Sequence, residues 1–285
     1  MTHESLSKTN SQTIPAMLYG TAWKEQATAE LTCQALQVGF EGIDTANQRK
    51  HYFEEGVGQG IQMYLKKSDK SRSDLFLQTK FTFAPGQDER KPFHDDDPIE
   101  KQVLQSFTSS LEHLQTDYID SYILHGPYFT SGLCAADWEA WGAMERLVDA
   151  KKAFFLGISN VSFPQLELLC QKAVIKPTFV QNRCFANSQW DKEIRGLCKK
   201  EGIIYQGFSL LTANYQYLLT PFMQSLAKKY NKTIPQIIFC FALQKDMLPL
   251  TGTTNQQHMR EDLEMVQFKL DAPELEQIEN IALLR

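Results

Sequence analysis

Short apolar runs alternate with longer amphipathic segments along almost the whole chain. Apolar runs of this length, bounded by polar or glycine residues, are typical of strands buried on both faces. The segments between them repeat their apolar positions at helical spacing. The pattern predicts eight strands, at residues 16–23, 40–46, 75–81, 118–126, 154–160, 178–185, 203–210 and 247–253.

The segment 98–115 shows how the helices are delimited. Asp97 can cap a helix that starts at Pro98, a residue suited to the first helical position. The apolar residues of this segment fall on one face of the predicted helix, and we expect that face to be buried. They are Val103, Leu104, Phe107, Leu111 and Leu114.

Doubly buried strands joined through helices require a parallel sheet. Eight such repeats in 285 residues fit a closed (β/α)₈ TIM barrel, an α/β fold, as a single domain over 15–285 after a disordered lead-in over 1–14. An open doubly wound sheet is the main rival. The sequence GVGQG at 56–60 has the wrong spacing for a dinucleotide-binding glycine loop, so the barrel is favoured.

Composition narrows the classes of function. The chain is 42% hydrophobic and 22% charged, with a net charge of −5, which argues against a nucleic-acid or acidic-membrane partner. No apolar run approaches the roughly 20 residues of a membrane span, and the polar first sixteen residues lack a secretory signal core. The six cysteines form no CxxC pair. We therefore expect a cytoplasmic protein without a structural zinc site.

Four proton-active side chains fall at the ends of consecutive predicted strands. Asp44 ends the second strand and Tyr52 lies in the loop after it, while Lys80 and His125 end the third and fourth strands. Active sites of TIM barrels lie at the C-terminal ends of the strands. Any one of these residues alone would more often be a cap or a surface residue, but four together predict a catalytic site.

These residue types suit the protonation of a carbonyl oxygen. A free phenol has a pKa near 10, and a neighbouring ammonium favours the phenolate, so Lys80 is expected to lower the pKa of Tyr52. Asp44 can keep the lysine charged, and His125 can orient the carbonyl by a hydrogen bond. Tyr52 is then the general acid.

The quartet resembles the catalytic tetrad of the aldo-keto reductases. The stretches GFEGIDTA, QTK, ILHGP, GISN and FSLL follow in the family's order, and the resemblance runs from about residue 15 to 280. One departure concerns the tyrosine, because the family has D-T-A-x-x-Y and here NQRKH lengthens the loop. Position 49 is Arg, so Tyr52 is assigned to the role.

The resemblance implies hydride transfer from a nicotinamide dinucleotide to a small-molecule carbonyl substrate. Ser159, Asn160 and Gln181 would bind the nicotinamide carboxamide, and Phe208 would stack on its ring. Further cofactor contacts are expected from the first strand and from the loop after the seventh: Gly20, Thr21, Ala22, Ser209, Leu210 and Leu211.

The choice between NADPH and NADH depends on the segment after the last strand. The family has a lysine and an arginine there, where this chain has Gly252 and His258. Hydroxyls, backbone N–H groups and a helix start can still bind a 2′-phosphate, and Arg260 could help. NADPH is favoured, with NADH possible, and the remaining implied contacts are Thr253, Thr254, Asn255, Glu261 and Asp262.

The substrate pocket is expected to be aromatic and open. Trp23, Phe53, Phe81 and Tyr128 lie at or beside strand ends, although any one of them could instead be a core residue. Gly126 stands where the family often has Trp. The chain also lacks the long C-terminal segment that covers the barrel mouth in many members, which predicts a short-C-terminus member of the family: a monomeric, broad reductase of activated aldehydes, dicarbonyls and some ketones.

Two alternatives stay open at this point. One is a regulatory barrel that binds the cofactor with vestigial catalysis, although the intact tetrad argues against it. The other is a metal-dependent isomerase or hydrolase, which requires carboxylate and histidine ligands at several strand ends. Only Asp44 and His125 qualify, and no metal is expected.

Overall fold

A closed barrel of eight parallel strands forms the centre of the computed structural model, which describes residues 8–9 and 12–283. Neighbouring barrel strands follow chain order, and the last strand closes the barrel by pairing with the first at Leu250 and Leu18. The (β/α)₈ prediction is confirmed. The strands are Lys8–Thr9 (β1), Gln12–Thr13 (β2), Leu18–Gly20 (β3), Gly42–Asp44 (β4), Phe76–Phe81 (β5), Ile119–Leu124 (β6), Ala153–Ser159 (β7), Phe179–Arg183 (β8), Ile204–Phe208 (β9) and Met247–Thr251 (β10).

The first two strands lie outside the barrel. β1 and β2 pair antiparallel as a small separate sheet, and Ile14 directly after them is fully buried. This part of the predicted disordered lead-in therefore has regular structure. The rest of that prediction, at residues 1–7, 10 and 11, lies outside the described residues.

Helices connect the barrel strands and surround them. They are Thr28–Val38 (α1), Glu54–Leu65 (α2), Ile99–Leu114 (α3), Ala135–Asp149 (α4), Phe163–Lys172 (α5), Lys192–Glu201 (α6), Tyr215–Leu218 (α7), Pro221–Tyr230 (α8), Ile234–Gln244 (α9), Gln256–Leu263 (α10) and Ala272–Glu279 (α11). No helix in the described part of the chain is long and apolar enough to cross a membrane.

The start of α3 differs from the prediction. Pro98 is the N-cap and the helix begins one residue later, while the carboxylate of Asp97 binds Lys101 and Gln105 instead of capping the backbone. A proline at the N-cap has extended backbone, here with ψ at 150°, so the chain turns into the helix without a side-chain cap. Leu104, predicted to be buried, is 38% exposed.

The interior of the barrel changes from apolar to polar along its axis. At the N-terminal ends of the strands the rings of Phe76, Phe155 and Phe179 pack with centroids 5.8–6.5 Å apart. Above them Gln78 and Gln206 exchange two hydrogen bonds, of 2.8 and 2.9 Å. Buried amides are stable when they are paired in this way. This polar layer supports the side chains at the C-terminal ends of the strands.

Candidate active site

The carboxylate of Asp44 and the ammonium of Lys80 form a buried ion pair at the C-terminal ends of β4 and β5. Lys80 Nζ lies 2.7 and 2.8 Å from the two oxygens of Asp44 and 2.7 Å from the carbonyl oxygen of Thr45. Asp44 Oδ1 also accepts amide hydrogens from Gln78 and Gln181, at 2.7 and 3.0 Å. Every hydrogen of the ammonium has an acceptor, so the pair is held in one geometry.

The loop after β4 carries Tyr52 over this ion pair. The ammonium of Lys80 lies 5.3 Å from the centroid of the Tyr52 ring. The loop is anchored on both sides: Asn47 donates a 2.9 Å hydrogen bond to a backbone carbonyl of α3, and Gln48 donates one of 2.6 Å to the carbonyl of Gly86. The lengthened loop thus still brings the tyrosine ring to the lysine.

His125 follows β6 directly and completes the cluster. Its backbone N–H donates to the carbonyl of Phe81, and its own carbonyl accepts from Asn160 Nδ2, each at 2.8 Å. The imidazole centroid lies 5.9 Å from that of Tyr52, with the rings at 66°, and its Nδ1 lies 2.6 Å from Thr82 Oγ1. The four residues predicted to be catalytic therefore meet in one place.

Burial dominates the acid–base properties of the cluster. It raises the pKa of Tyr52, and the negative charge of Asp44 raises it further. Burial lowers the pKa of Lys80, and the charge of Asp44 opposes this shift. Burial also lowers the pKa of His125 well below its ordinary value, and the charges of Lys80 and His51 lower it further. The expectation of a lowered pKa for Tyr52 is wrong, because burial and the charge of Asp44 both raise it. The phenol stays protonated and the imidazole is neutral at neutral pH.

A cavity of ≈1180 Å³ opens above this cluster. Asp44, Tyr52 and His125 line its floor, and Lys80 lies fully buried beneath it. The cavity runs across the barrel mouth to the start of α10. Pockets for one drug-sized ligand measure about 300–1,000 Å³, so this one has room for a dinucleotide together with a small substrate.

The predicted nicotinamide contacts lie on the cavity wall beside the cluster. Ser159 Oγ donates to the carbonyl of Gln181 at 2.6 Å, and Asn160 has left-handed backbone with φ of 51° that turns its side chain back over the strand ends. The ring of Phe208 also lines the wall, with the guanidinium of Arg183 at 5.6 Å from its centroid. Arg183 lies two residues after Gln181 and so on the same face of the strand.

The far end of the cavity is bordered by the segment after β10. Lys24 Nζ donates a 2.8 Å hydrogen bond to the carbonyl of Gly252, and the hydroxyl of Tyr19 donates one of 3.0 Å to that of Thr253. Lys24 is 7% exposed, and burial lowers its pKa to about 8. Among the described residues its ammonium has no carboxylate partner. A buried cation without a carboxylate partner favours an anionic ligand.

The segment after β10 and helix α10 hold most of the remaining predicted cofactor contacts. The cavity is lined there by Thr253, Thr254, His258, Glu261 and Asp262. Asn255 is an exception, because its side chain caps α10 by accepting from the backbone N–H groups of Gln257 and His258, and it is not on the wall. The Asp262 carboxylate accepts from Thr251 Oγ1 at 2.7 Å, and burial raises its pKa to about 6.

Three other predicted contacts also lie away from the wall. Phe81 is fully buried, because neighbouring strand residues face opposite sides and Lys80 already faces the barrel interior. Phe53 is the N-cap of α2, and its ring packs under the guanidinium of Arg49 at 4.7 Å. Thr21 is fully buried and donates to the carbonyl of Asp44. The predicted residues on the wall that remain are Gly20, Ala22, Trp23, Tyr128, Ser209, Leu210 and Leu211.

Several residues of the wall were missed by the sequence reasoning. The ring of His51 packs against Trp23 with centroids 4.1 Å apart and the planes tilted by 40°, and Phe83 and Phe129 pack against Tyr128 at 5.1 and 4.9 Å. The substrate end of the cavity therefore has aromatic groups on two sides. His51 could have been found from the sequence, because it is a polar residue of the lengthened loop directly before Tyr52.

No group of three or more His, Cys, Asp or Glu side chains in the described part of the chain is placed to hold a metal ion. The oxygens of Asp44, which the sequence offered as a candidate ligand, are occupied by Lys80 and by an amide donor. The side chains of the cluster can themselves donate a proton from the phenol of Tyr52 and a hydrogen bond from the neutral imidazole of His125.

Comparison with known proteins gives a consistent family assignment. The model of the aldo/keto reductase family matches residues 16–283. The glyoxal reductase of Bacillus subtilis is 31% identical over 245 residues, covering 86% of this chain and 80% of the relative. The NAD/NADP-dependent indole-3-acetaldehyde reductase of Schizosaccharomyces pombe is 29% identical over 280 residues, covering 93% and 90%. A crystal structure of an aldo/keto reductase from Brucella melitensis superposes with a TM-score of 0.82 at 25% identity, covering 98% of this chain and all of that one.

The chain belongs to the aldo/keto reductase family. It is accordingly an NAD(P)H-dependent oxidoreductase, and its general reaction is carbonyl reduction.

Proposed function

We propose that this protein reduces small activated aldehydes and dicarbonyls, and some ketones, to alcohols with NADPH, and that Tyr52 is the general acid. The observation that carries the proposal is the arrangement at the cavity floor. The Asp44–Lys80 ion pair lies beneath the Tyr52 ring, and His125 lies beside that ring. A proton donor, a hydrogen-bond donor and a fixed cation thus surround one position for a carbonyl group.

The residues divide the acid–base work between them. When bound, the dihydronicotinamide supplies the hydride that reduces the carbonyl carbon. The imidazole of His125 donates a hydrogen bond to the carbonyl oxygen and orients it. Tyr52 gives its phenolic proton to that oxygen as negative charge develops on it, and the ammonium of Lys80 stabilises the phenolate that remains. Solvent then returns a proton to Tyr52.

The cavity suits a dinucleotide. Ser159, Asn160 and Gln181 present hydroxyl and amide groups for a carboxamide, and the partly exposed ring of Phe208 offers a π-face. At the far end, Lys24 lies beside Gly252 and so supplies a cation near the position where the family has its lysine. This cation, with the hydroxyls of the segment after β10, supports NADPH as the cofactor.

The wall of the cavity and the relatives support the proposed substrate class. The aromatic walls favour flat carbonyl compounds that need few polar contacts, and the absence of a side chain at Gly126 leaves room for substrates of several sizes. One relative is named a glyoxal reductase and another an indole-3-acetaldehyde reductase, so both names describe aldehydes. Glyoxal and indole-3-acetaldehyde are therefore the first substrates to test.

Oxidation of NADPH and of NADH in the presence of glyoxal, indole-3-acetaldehyde and an aldose tests the proposal. We expect turnover of the first two substrates, faster with NADPH. A protein that binds either dinucleotide tightly and turns over none of these compounds would instead be a regulatory barrel with vestigial catalysis.

The cofactor affinity is expected to fall as pH rises through about 8, because Lys24 is charged below that pKa and neutral above it. Lys24→Met should bind NADPH about 10–100-fold more weakly at pH 7, since a charge-assisted hydrogen bond contributes about 1.5–3 kcal/mol. Lys24→Arg should keep the affinity at pH 9. The measurement is the dissociation constant between pH 7 and 9, where the 2′-phosphate is already fully charged.

The same titration with NADH locates the contact. Equal losses for both cofactors in Lys24→Met place the ammonium at the pyrophosphate, and a loss for NADPH alone places it at the 2′-phosphate. An unchanged pH dependence in Lys24→Met would contradict the assignment of Lys24.

Gly126→Trp should narrow the range of substrates. A Cβ at Gly126 would lie 3.6 Å from Asn160 Cβ and 3.7 Å from the carbonyl oxygen of Ser159, so the backbone accepts a side chain there. The indole would take the space of bulky ketones, and we expect their kcat/KM to fall about 10–100-fold while glyoxal is little affected. Gly126→Ala is the matched control. An equal loss for all carbonyl compounds would show that Gly126 does not border the substrate site.

A further inference from the structure

The geometry points to Thr82 as a positioning residue that fixes the tautomer of His125: its hydroxyl donates to Nδ1, so the single N–H of the imidazole is at Nε2. Thr82 follows β5, two residues after Lys80, and faces the barrel mouth beside it. Thr82 Oγ1 lies 2.6 Å from His125 Nδ1, and Thr82 is 7% exposed. The inference rests on the proposed function only for its catalytic consequence.

The direction of this hydrogen bond follows from the available partners. Among the described residues, His125 Nδ1 is the only atom with which the Thr82 hydroxyl makes a hydrogen bond. If Nδ1 carried the hydrogen, the hydroxyl oxygen would accept it, and the hydroxyl's own hydrogen would have no acceptor among the described residues although Thr82 is only 7% exposed. An unpaired polar hydrogen of this kind costs about 1–3 kcal/mol. The arrangement in which Thr82 donates leaves neither group unpaired.

The other described residues around His125 do not determine which ring nitrogen carries the hydrogen. Burial and the positive charge of Lys80 hold the pKa of His125 well below its ordinary value. The ring is therefore neutral, and only one of its two nitrogens carries a hydrogen. The backbone of His125 is fixed by Phe81 and Asn160, which contact its N–H and carbonyl and not its imidazole. In the proposed reaction, only an N–H at the nitrogen opposite Thr82 can donate to a carbonyl oxygen in the cavity.

Nitrogen NMR of the histidine-labelled protein tests the tautomer without any substrate. The His125 signals are identified by their absence from the spectrum of His125→Asn. In the unmodified protein we expect a pyridine-type, hydrogen-bonded Nδ1 and a protonated Nε2. Thr82→Val and Thr82→Ala should shift both signals towards a mixture of tautomers, and Thr82→Ser, which keeps the hydroxyl, should restore the original spectrum. A hydrogen on Nδ1 in the unmodified protein, or an unchanged spectrum in Thr82→Val, would overturn the inference.

Kinetics supply the second readout. Thr82→Val should lower kcat about three- to tenfold, because one neutral hydrogen bond contributes about that factor, while the dissociation constant of NADPH is unchanged. Thr82→Ser should recover kcat. If the spectra behave as expected and the unmodified protein reduces no carbonyl compound, the proposed function fails and the tautomer assignment stands. If the protein reduces carbonyls and Thr82→Val matches it in kcat, Thr82 does not act through His125.

Discussion

Tyr52→Phe is expected to lower kcat for carbonyl reduction by about 10²–10⁴-fold and to leave dinucleotide binding unchanged. The substitution removes only the phenolic hydroxyl, and the remaining ring can still pack over Lys80 and beside His125. The raised pKa of Tyr52 keeps this proton in place across the neutral range. The loss should therefore appear in kcat, with little change in the thermal midpoint of unfolding.

Single-turnover reduction of glyoxal with saturating NADPH measures this effect apart from cofactor exchange. Tyr118→Phe is the matched control. It removes the same hydroxyl, but Tyr118 directly precedes β6 and so lies at the opposite end of the barrel. His51→Asn tests the neighbouring candidate in the lengthened loop, whose ring packs against Trp23 and not over the lysine. Near-normal turnover by Tyr52→Phe, or a larger loss in His51→Asn, would contradict the assignment of Tyr52.

The fold and the centre of the site could be predicted because both depend on strand ends. Apolar runs marked the eight barrel strands, and parallel strands place their C-terminal residues at one mouth. Asp44, Lys80 and His125 lie at or directly after such ends, so order along the chain was enough to bring them together. The position of Tyr52 could be predicted as well, because the loop after β4 returns to the same barrel mouth.

Phe53, Phe81 and Asn255 lie away from the cavity wall for one shared reason. Each lies close in sequence to a site residue, but local backbone geometry directs its side chain elsewhere. Strand alternation turns Phe81 away from Lys80, and the N-cap positions at α2 and α10 direct the other two towards their own helices. Nearness in sequence to a catalytic residue therefore did not predict a place on the wall of the cavity.

The residues that were missed make their contacts across long sequence separations. Lys24 meets a segment 228 residues away, and Thr82 meets an imidazole 43 residues away. Neither pair has a characteristic spacing, because closure of the barrel alone brings them together. The pKa of Tyr52 was misjudged for a related reason: the sequence shows the lysine nearby but not the degree of burial, which sets the direction of the shift.

The second large effect is expected for the buried ion pair. Lys80→Met should lower the free energy of unfolding by about 3–5 kcal/mol and abolish carbonyl reduction, because it leaves the carboxylate of Asp44 buried without a cation. The amide groups of Gln78 and Gln181 would still donate to that carboxylate, but they carry no charge. Urea unfolding and steady-state kinetics measure the two losses separately.

The double variant Asp44→Asn/Lys80→Met separates burial of an unpaired charge from loss of a catalytic group. Asparagine is close to aspartate in shape and can accept from the same amides, so the double variant should recover much of the stability that Lys80→Met alone loses. It should recover none of the activity, since the cation next to Tyr52 is still missing. Equal instability of the single and double variants would show that packing of the lysine side chain, and not the charge of Asp44, stabilises the centre of the barrel. Recovered activity in the double variant would show that the proton transfer does not need a cation beside Tyr52.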